Sequence, residues 1–389
     1  MADYKVKTMN AIADCGVEYL TSHSCDVSAM EEHPEGMLIR SADLHGIEFN
    51  KELLGIARAG AGFNNIPIEE CAEKGIVVFN TPGANAEAVK EQEMMSLIMA
   101  SRDVLGAIDW VRSIADRGAE IPKLVEKGKS AFSGPELMGK TLGVIGLGAI
   151  GAIVANIALE FGMTVYGYDP FVSVQAAWKL SREVRYVENL DDIFRVSDYI
   201  SVNVPYNEST HHMLDAAAFS KMKKGVRIVN ESRAEVIDDI AMTDALDTGK
   251  VAKYVTDFPN ETILKAPNVI ALPHIGAVTP ESEERCARMA AEELVDYLKN
   301  GNVRNSVNLP DASLSRMGVC RLCVFHRNVP RMINHILDFI SDRNINIEHM
   351  INKPRRDYAY TMIDLGEAIG EDIADEIRAM ENVLRVRVI

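Results

Sequence analysis

A short glycine-rich run near the middle of the chain constrains the fold more than any other feature of the sequence. The run, G-L-G-A-I-G at residues 146–151, directly follows the apolar segment 141–145, and a second apolar segment ends just before Asp169. This pattern is typical of a βαβ unit that binds a dinucleotide: a strand, a glycine turn, a helix, a second strand and then an acid. The glycines permit a tight turn, close approach of the backbone to a pyrophosphate, and close packing of helix on strand.

The acid after the second strand indicates which dinucleotide this unit takes. Asp169 stands 18 residues after Gly151, where a carboxylate can accept hydrogen bonds from ribose hydroxyls. No Arg or Lys lies in residues 170–174, and a carboxylate would repel a 2′-phosphate, so we expect NAD rather than NADP. The residues expected to bind it in this unit are Gly146, Gly148, Ala149, Ile150, Gly151 and Asp169.

The same stretch allows two other interpretations. Residues 141–159 carry no charge and are long enough for a membrane span, but four glycines make a poor continuous helix and no positive flank orients it. A glycine-rich turn that binds no nucleotide is the second alternative. The acid at the expected spacing argues against it.

Length and charge limit the partners. A chain of 389 residues is too long for one ordinary hydrophobic core, so we expect two or three domains. Its formal charge of −16 argues against nucleic acid or an anionic membrane as a partner. The start of the chain lacks a secretory signal, and six cysteines show no disulfide framework, so we expect a cytoplasmic protein. Cys320 and Cys323 fall in a predicted strand on opposite faces, which argues against a metal site.

The remaining patterns predict three segments. Residues 1–85 alternate apolar runs with helical segments in a βαβ rhythm, and 86–104 form a Met-rich helix. Short strands with helices between them continue from 141 to 272, as in a doubly wound parallel sheet. After a polar linker at 303–315, the order βαββαβ predicts a ferredoxin-like module without a nucleophile.

Three titratable residues follow predicted strand ends downstream of the glycine run. They are Arg233, Glu261 and His274. In open α/β sheets such ends line the ligand crevice. Histidine suits removal of a hydroxyl proton near neutral pH, a carboxylate can orient the imidazole, and arginine offers a planar fork for a substrate carboxylate. The set predicts oxidation of a 2-hydroxy acid by hydride transfer to NAD.

On these residues the chain resembles the D-isomer-specific 2-hydroxyacid dehydrogenases over nearly its whole length. The segments that carry the resemblance are 39–41, 57–66, 79–85, 139–148 and 273–277. Residues 326–330, with Asn346 and Ile347, resemble the ACT module found in the phosphoglycerate branch of that family. The resemblance therefore implies a small phosphorylated 2-hydroxy acid as substrate and a homodimer or homotetramer. The alternatives are a glyoxylate or hydroxypyruvate reductase and a non-catalytic NAD-sensing corepressor.

The resemblance also implies roles for individual residues. It assigns His274 as the acid/base, Glu261 as its partner and Arg233 as the clamp on the substrate. Further NAD contacts are implied for Val204, Pro205, Thr210, Glu231, Asp257 and Gly276. Substrate contacts are implied for Arg40, Ala61, Gly62, Asn85 and Arg233, and an amino-acid effector site for His326, Asn328 and Asn346.

One spacing departs from the family pattern. The family places an aspartate five residues before the glutamate, whereas Asp257 stands four before Glu261. The expected division of the chain is a substrate domain at 1–88 and 282–310, a Rossmann NAD domain at 89–281, and an ACT-like domain at 316–389. The substrate domain is expected to be flavodoxin-like.

Overall fold

The computed structural model describes residues 3–389, apart from the side chain of Gln175. Its strands are β1 (Tyr4–Met9), β2 (Cys25–Ser28), β3 (Gly36–Ile39), β4 (Gly55–Arg58), β5 (Val77–Phe79), β6 (Thr141–Ile145), β7 (Thr164–Tyr168), β8 (Arg185–Tyr186), β9 (Tyr199–Val202), β10 (Val226–Asn230), β11 (Val251–Thr256), β12 (Val269–Ala271), β13 (Cys320–Arg327), β14 (Ile347–Arg355), β15 (Tyr358–Leu365) and β16 (Val383–Val388). Its α-helices are α1 (Asp14–Ser22), α2 (Ile68–Glu73), α3 (Ala86–Ser101), α4 (Val104–Ser113), α5 (Ile121–Gly128), α6 (Ala149–Glu160), α7 (Val174–Lys179), α8 (Leu190–Val196), α9 (Ala216–Lys221), α10 (Asp239–Asp247), α11 (Glu261–Lys265), α12 (Pro280–Asn300), α13 (Met332–Ser341) and α14 (Glu371–Arg378).

The backbone separates into two units. The first combines the residues up to Asn85 with Pro280–Ile389, and the second is the continuous segment Ala86–Thr279. The C-terminal module therefore belongs to the first unit, where the sequence analysis expected a third domain. The assignment of a substrate domain to 1–88 and 282–310 stays a prediction.

The N-terminal sheet of the first unit has five parallel strands in the order β2-β1-β3-β4-β5. This strand order is flavodoxin-like and confirms the expected fold class. Helix α12 returns to this sheet from much later in the chain. Its Tyr297 ring lies 5.5 Å from the ring of Phe79 on β5, within one apolar core.

The second unit is built on a seven-stranded parallel sheet in the order β12-β11-β10-β9-β6-β7-β8. The strand order reverses between β6 and β9, which is the point where doubly wound sheets bind dinucleotides. The uncharged stretch 141–159 forms β6, the glycine turn and most of α6, so the membrane-span interpretation is wrong. Across residues 3–389, no helix is both long and apolar enough to cross a membrane.

The C-terminal module has the predicted order βαββαβ. Its antiparallel sheet runs β14-β15-β13-β16, which confirms the ferredoxin-like topology. Leu322 and Val324 on one face pack with α13 and α14. Cys323 and Phe325, one residue out of phase, face the opposite way and join the core that contains α12. The strands β13 and β15 are therefore covered on both faces, whereas the edge strand β14 is largely exposed.

Buried polar groups of this module meet the end of α12. Arg387 donates to the carbonyls of Tyr297 and Leu298 at 2.8 and 2.5 Å, and Arg321 donates to that of Asn300 at 2.9 Å. Arg321 also pairs with the buried Asp364 through two hydrogen bonds. The last carbonyls of a helix lack partners within the helix, and these side chains bind three of them, of which that of Tyr297 also accepts the amide of Gly301 at 2.9 Å.

The segment expected to be a linker is not one. Within 303–315, the side chains of Val303, Leu309, Ala312 and Leu314 are buried in the core of the first unit. Val303 and Ala312 exchange backbone hydrogen bonds. Four apolar residues are enough to anchor the segment in the core, although most of its residues are polar. Composition alone therefore predicted a linker where the structure has a packed segment.

Candidate active site

The glycine turn has the geometry that a pyrophosphate cradle requires. Gly146 has φ of +92°, and a Cβ there would lie 2.4 Å from the carbonyl oxygen of Asn203. A Cβ on Gly151 would lie 1.9 Å from the carbonyl oxygen of Gly146, so no other residue fits at either position. Gly148 precedes α6, and no side chain caps the amides of the first turn. These amides and the helix dipole suit an anion.

Asp169 is tied to the same turn. One oxygen of its carboxylate accepts the amide of Leu147 at 2.9 Å, and the other accepts the amide of Phe171 at 2.8 Å. A carboxylate has about four acceptor positions, so each oxygen keeps one for a ribose hydroxyl. The turn and the acid together fit NAD.

Three strand ends meet at one edge of the sheet in the second unit. β10, β11 and β12 are neighbours, and Arg233, Asp257 and His274 follow them by three, one and three residues. The ring of Phe258 lies near both Arg233 and His274. Its centroid is 4.5 Å from that of His274 and 5.8 Å from Cζ of Arg233.

Arg233 is exposed and its backbone is fixed. Its carbonyl accepts a hydrogen bond from the side chain of Asn230 at 2.9 Å, and its guanidinium donates to the carbonyl of Ser232. No carboxylate pairs with it among the ion pairs of the described residues. Such a guanidinium is available to an anionic ligand.

Glu261 does not contact His274 in the part of the chain that the structure describes. It is the first residue of α11, its side chain is 84% exposed, and its carboxylate binds Lys265 at 2.5 Å. The pairing of Glu261 with His274 stays a prediction.

Asp257 is the acid that lies buried at this edge. Its residue is 3% exposed, and its Oδ2 accepts a hydrogen bond from Gln92 at 3.3 Å, while Oδ1 is buried without a partner. Burial raises the pKa of Asp257, and the charges of His274 and Arg233 oppose that rise.

Two further buried carboxyls lie beside Asp257. Glu93 on α3 accepts hydrogen bonds from Ser201 and Asn203, and burial raises its pKa to about 7. Glu231 accepts one from Ser96, and burial together with the charge of Glu93 raises its pKa to about 8. Each has one oxygen without a partner.

The other predicted NAD contacts lie on nearby loops of the same unit. The hydroxyl of Thr210 donates to the carbonyl of Pro205 at 2.8 Å and shapes the loop that contains Val204. A Cβ on Gly276 would lie 3.2 Å from the side-chain nitrogen of Gln92. Contact of these residues with NAD stays a prediction.

The predicted substrate residues outside this unit belong to the first one. Arg40 follows β3 and binds Glu283 at 2.6 Å. Ala61 and Gly62 lie in the loop after β4, where the carbonyl of Ala61 accepts the side chain of Asn80. Asn85 has a buried side-chain oxygen without a hydrogen-bond partner. Their roles in binding substrate stay predictions.

Comparison with known proteins identifies the family. Residues 94–276 match the family described as D-isomer specific 2-hydroxyacid dehydrogenase, NAD binding domain. A hydroxypyruvate reductase of Thermotoga maritima is 40% identical over 261 residues, which cover 65% of this chain and 80% of that protein. The chain belongs to the D-isomer specific 2-hydroxyacid dehydrogenases.

Two more similarities bear on this dehydrogenase. A D-3-phosphoglycerate dehydrogenase of Archaeoglobus fulgidus is 34% identical over 327 residues, which cover 79% of this chain and 59% of that protein. The solved structure of an NAD⁺-bound 3-phosphoglycerate dehydrogenase from Entamoeba histolytica is 26% identical, with a TM-score of 0.61, and covers 79% of this chain and 99% of that one. The chain thus spans about three-fifths of the Archaeoglobus relative's length.

Part of the buried network was not predicted from the sequence. Gln92, Glu93 and Ser96 lie on α3, which the sequence analysis interpreted as a helix for apolar packing alone. The available signal was an acid and an amide within an otherwise Met-rich helix. Polar side chains on a buried helix nearly always have hydrogen-bond partners in the folded protein.

The three residues proposed to hold an effector do not form one cluster. Both ring nitrogens of the buried His326 are engaged, by the carbonyl of Arg327 and the hydroxyl of Thr361, each at 2.8 Å. Asn328 donates to the carbonyl of Arg356, and Asn346 donates to Glu348. Effector binding by these residues stays a prediction.

Proposed function

We propose that this dehydrogenase oxidises 3-phospho-D-glycerate at C2 to 3-phosphohydroxypyruvate with NAD, the first step of L-serine biosynthesis. The observation that carries the proposal is the placement of Arg233 and His274 around Phe258, at the edge of the sheet that also bears the glycine turn. The named D-3-phosphoglycerate dehydrogenase relative supports the choice of substrate.

The residues divide the chemistry between them. His274 takes the proton of the C2 hydroxyl as the C2–H bond breaks. NAD, when bound at the glycine turn, would supply the acceptor for the hydride that leaves C2. The guanidinium of Arg233 donates hydrogen bonds to the substrate carboxylate and to the C2 oxygen. These two contacts fix which face of C2 is turned towards the nicotinamide. We assign the binding of the substrate phosphate to Arg40. Either Glu283 leaves Arg40 when the phosphate binds, or Arg40 binds both groups.

A hydroxypyruvate or glyoxylate reductase is the second candidate. The 40% identity to a hydroxypyruvate reductase supports it. So does the ion pair of Arg40 with Glu283, because it occupies the cation that would bind a phosphate. A non-catalytic, NAD-sensing corepressor is the remaining alternative, and the set of Arg233 and His274 argues against it.

The test is NADH formation from 3-phosphoglycerate measured beside glycerate, lactate and 2-hydroxyglutarate. We expect kcat/KM for the phosphorylated acid to exceed that for glycerate, because a phosphate adds a charge-assisted contact. Equal values for the two acids would favour the reductase. No NADH with any of the four, and no NADH oxidation with hydroxypyruvate, would favour the corepressor.

A further inference from the structure

We propose that Glu93, a buried acid on α3, is a positioning residue for NAD: it holds Asn203, against which the glycine turn packs. The inference rests on NAD binding at the glycine turn and not on which hydroxy acid the enzyme oxidises. It gives a polar side chain of the Met-rich helix a task in cofactor binding.

Asn203 packs against both ends of the glycine turn. Its amide donates to the carbonyl of Ile145 at 2.7 Å, so the pairing of β6 with β9 continues up to the first glycine. A Cβ on Gly146 would lie 2.4 Å from the carbonyl oxygen of Asn203, and a Cβ on Gly151 would lie 3.2 Å from the Cβ of Asn203. A shift of Asn203 therefore loosens the backbone that is expected to bind the pyrophosphate.

Two buried acceptors hold the side chain of Asn203. Its Nδ2 donates to Oγ of Ser201 at 2.5 Å and to Oε1 of Glu93 at 3.2 Å. The hydroxyl of Ser201 also donates to Oε1 of Glu93. Ser201 and Glu93 are 0% and 1% exposed, so water does not compete for these bonds. Loss of that one oxygen would remove the acceptor of the Ser201 hydroxyl and one of the two acceptors of Asn203.

Glu93 provides this acceptor without a charge below neutral pH. Burial raises its pKa to about 7, and the hydrogen bonds from Ser201 and Asn203 oppose that rise. Its other oxygen, Oε2, is buried and has no hydrogen-bond partner among the described residues, so the proton fits there. Oε1 then acts as a carbonyl oxygen, which a glutamine side chain also offers.

Apolar packing fixes the helix from which Glu93 acts. Met94 and Leu97 of α3 share one buried core with Leu147 of the glycine turn and Val144 of β6. The helix and the turn are therefore packed together, and the polar contacts of Glu93 set the position of Asn203 relative to both.

A rival explanation is that Glu93 acts on the strand ends proposed to carry the reaction. Neighbouring side chains of α3 donate to Asp257 and Glu231, which follow β11 and β10. An effect through those acids concerns the nicotinamide end of NAD, whereas an effect through Asn203 concerns the pyrophosphate. ADP-ribose carries the pyrophosphate and no nicotinamide, so it separates the two explanations.

Calorimetric titration with NAD and with ADP-ribose tests the proposal, at about pH 6, where Glu93 keeps its proton. We expect Glu93→Met, which accepts no hydrogen bond, to weaken the binding of both ligands about tenfold or more, because the turn loses its fixed position. Glu93→Gln keeps the acceptor and should bind both ligands as the wild-type protein does. Glu160→Met, at an exposed acid at the end of α6, is the matched control and leaves both affinities unchanged.

A double-mutant cycle tests whether Glu93 acts through Asn203. Asn203→Ala keeps the Cβ against Gly151 and removes the amide, so we expect it to weaken the binding of both ligands as well. Glu93→Met added to Asn203→Ala should then cause little further loss, because the two side chains act through one contact. Thermal unfolding without ligand shows which variants fold, and Asn203→Ala alone decides the proposal if Glu93→Met does not.

Unchanged NAD affinity in folded Asn203→Ala would overturn the proposal. So would losses that multiply in the double variant, a loss in Glu93→Gln as large as that in Glu93→Met, or a loss for NAD that spares ADP-ribose. Unchanged NAD affinity in Gly148→Ala would remove the glycine turn as the NAD site and the proposal with it. These titrations need no substrate, so a failure to oxidise any 2-hydroxy acid would count against the proposed function alone.

Discussion

At the scale of single residues, His274 adopts a backbone conformation that few side chains accept. Its φ is +42°, in the left-handed region, and its ring packs on Phe258. A non-glycine residue there costs about 1–3 kcal/mol and persists only where its surroundings enforce it. Such strain is found at residues whose orientation matters more than their contribution to stability.

Replacement of this imidazole tests its role directly. We expect His274→Ala to reduce kcat by about 10² to 10⁴-fold, or about 3–5 kcal/mol, because the hydroxyl proton loses its acceptor. The affinity for NAD, measured by titration calorimetry, changes little. His335→Ala, at an exposed residue of the C-terminal module, is the control. Turnover near the wild-type value in His274→Ala would remove the assignment.

The buried carboxyls make stability depend on pH. Glu93 and Glu231 keep protons in the folded chain up to a pKa of about 7 and about 8, whereas the unfolded chain releases them near the ordinary value of 4.5. The folded state therefore binds more protons than the unfolded state in this range. Stability falls as pH rises from about 5 to about 8.

Neutral variants of these carboxyls should flatten that dependence. We expect Glu93→Gln and Glu231→Gln each to lose less Tm than the wild-type protein between about pH 5 and pH 8. The difference should be at least about 2–4 °C, which corresponds to about 1 kcal/mol for a unit of this size. Glu188→Gln, at an exposed acid, serves as the reference. Parallel Tm curves for all four proteins would contradict the raised pKa values of Glu93 and Glu231.

At the scale of elements, substitutions in the glycine turn before α6 distinguish effects on folding from effects on NAD binding. A Cβ on Gly151 collides with the carbonyl of Gly146, whereas a Cβ on Gly148 meets no atom within 4 Å. We expect Gly151→Ala to lower both the Tm of the protein without NAD and its NAD affinity. Gly148→Ala should keep the Tm and lose affinity at least about tenfold, because its methyl group occupies the approach of the pyrophosphate. NAD affinity is measured by calorimetry. An unchanged affinity in both variants would show that the glycine turn does not bind the pyrophosphate.

Elements with a strong local pattern could be predicted from the sequence. The glycine turn, the strands β9 to β12 and helix α3 all carry signals that lie within a few residues of one another. The contacts of Gln92 and Glu93 could not be predicted, because they depend on which strand ends α3 meets in the folded unit. The exposed position of Glu261 also required the structure, because its distance along the sequence from Asp257 does not show which of the two acids is buried.

At the scale of the whole molecule, the C-terminal module completes the first unit. Arg387 is largely buried and donates to two carbonyls at the end of α12. We expect Arg387→Met to destabilise the protein by about 1–3 kcal/mol, because the carbonyl of Leu298 loses its side-chain donor and that of Tyr297 keeps only the amide of Gly301. The matched control is Arg356→Met at an exposed arginine of the same module. Thermal unfolding measures the difference, and equal Tm values would show that water replaces the guanidinium.

The division of the molecule was the least predictable feature. The order βαββαβ, with alternating residues in β16, predicted the ferredoxin-like sheet but not what covers its second face. That face packs on the core of α12, and the segment at 303–315 packs with it. Pairings between distant parts of the chain depend on shape complementarity, which no single segment of sequence records.

The contacts between the C-terminal module and α12 have a consequence for synthesis. β1 starts at Tyr4 and the last donor to α12 is Arg387, so one core draws on both ends of the chain. At about 5–20 residues per second, the ribosome needs on the order of 15–60 s to make the roughly 300 residues between β5 and β16. Ala86–Thr279 is continuous and can fold as it emerges. We therefore expect the apolar residues of the N-terminal sheet to stay exposed on the nascent chain until α12 and the C-terminal module have been made.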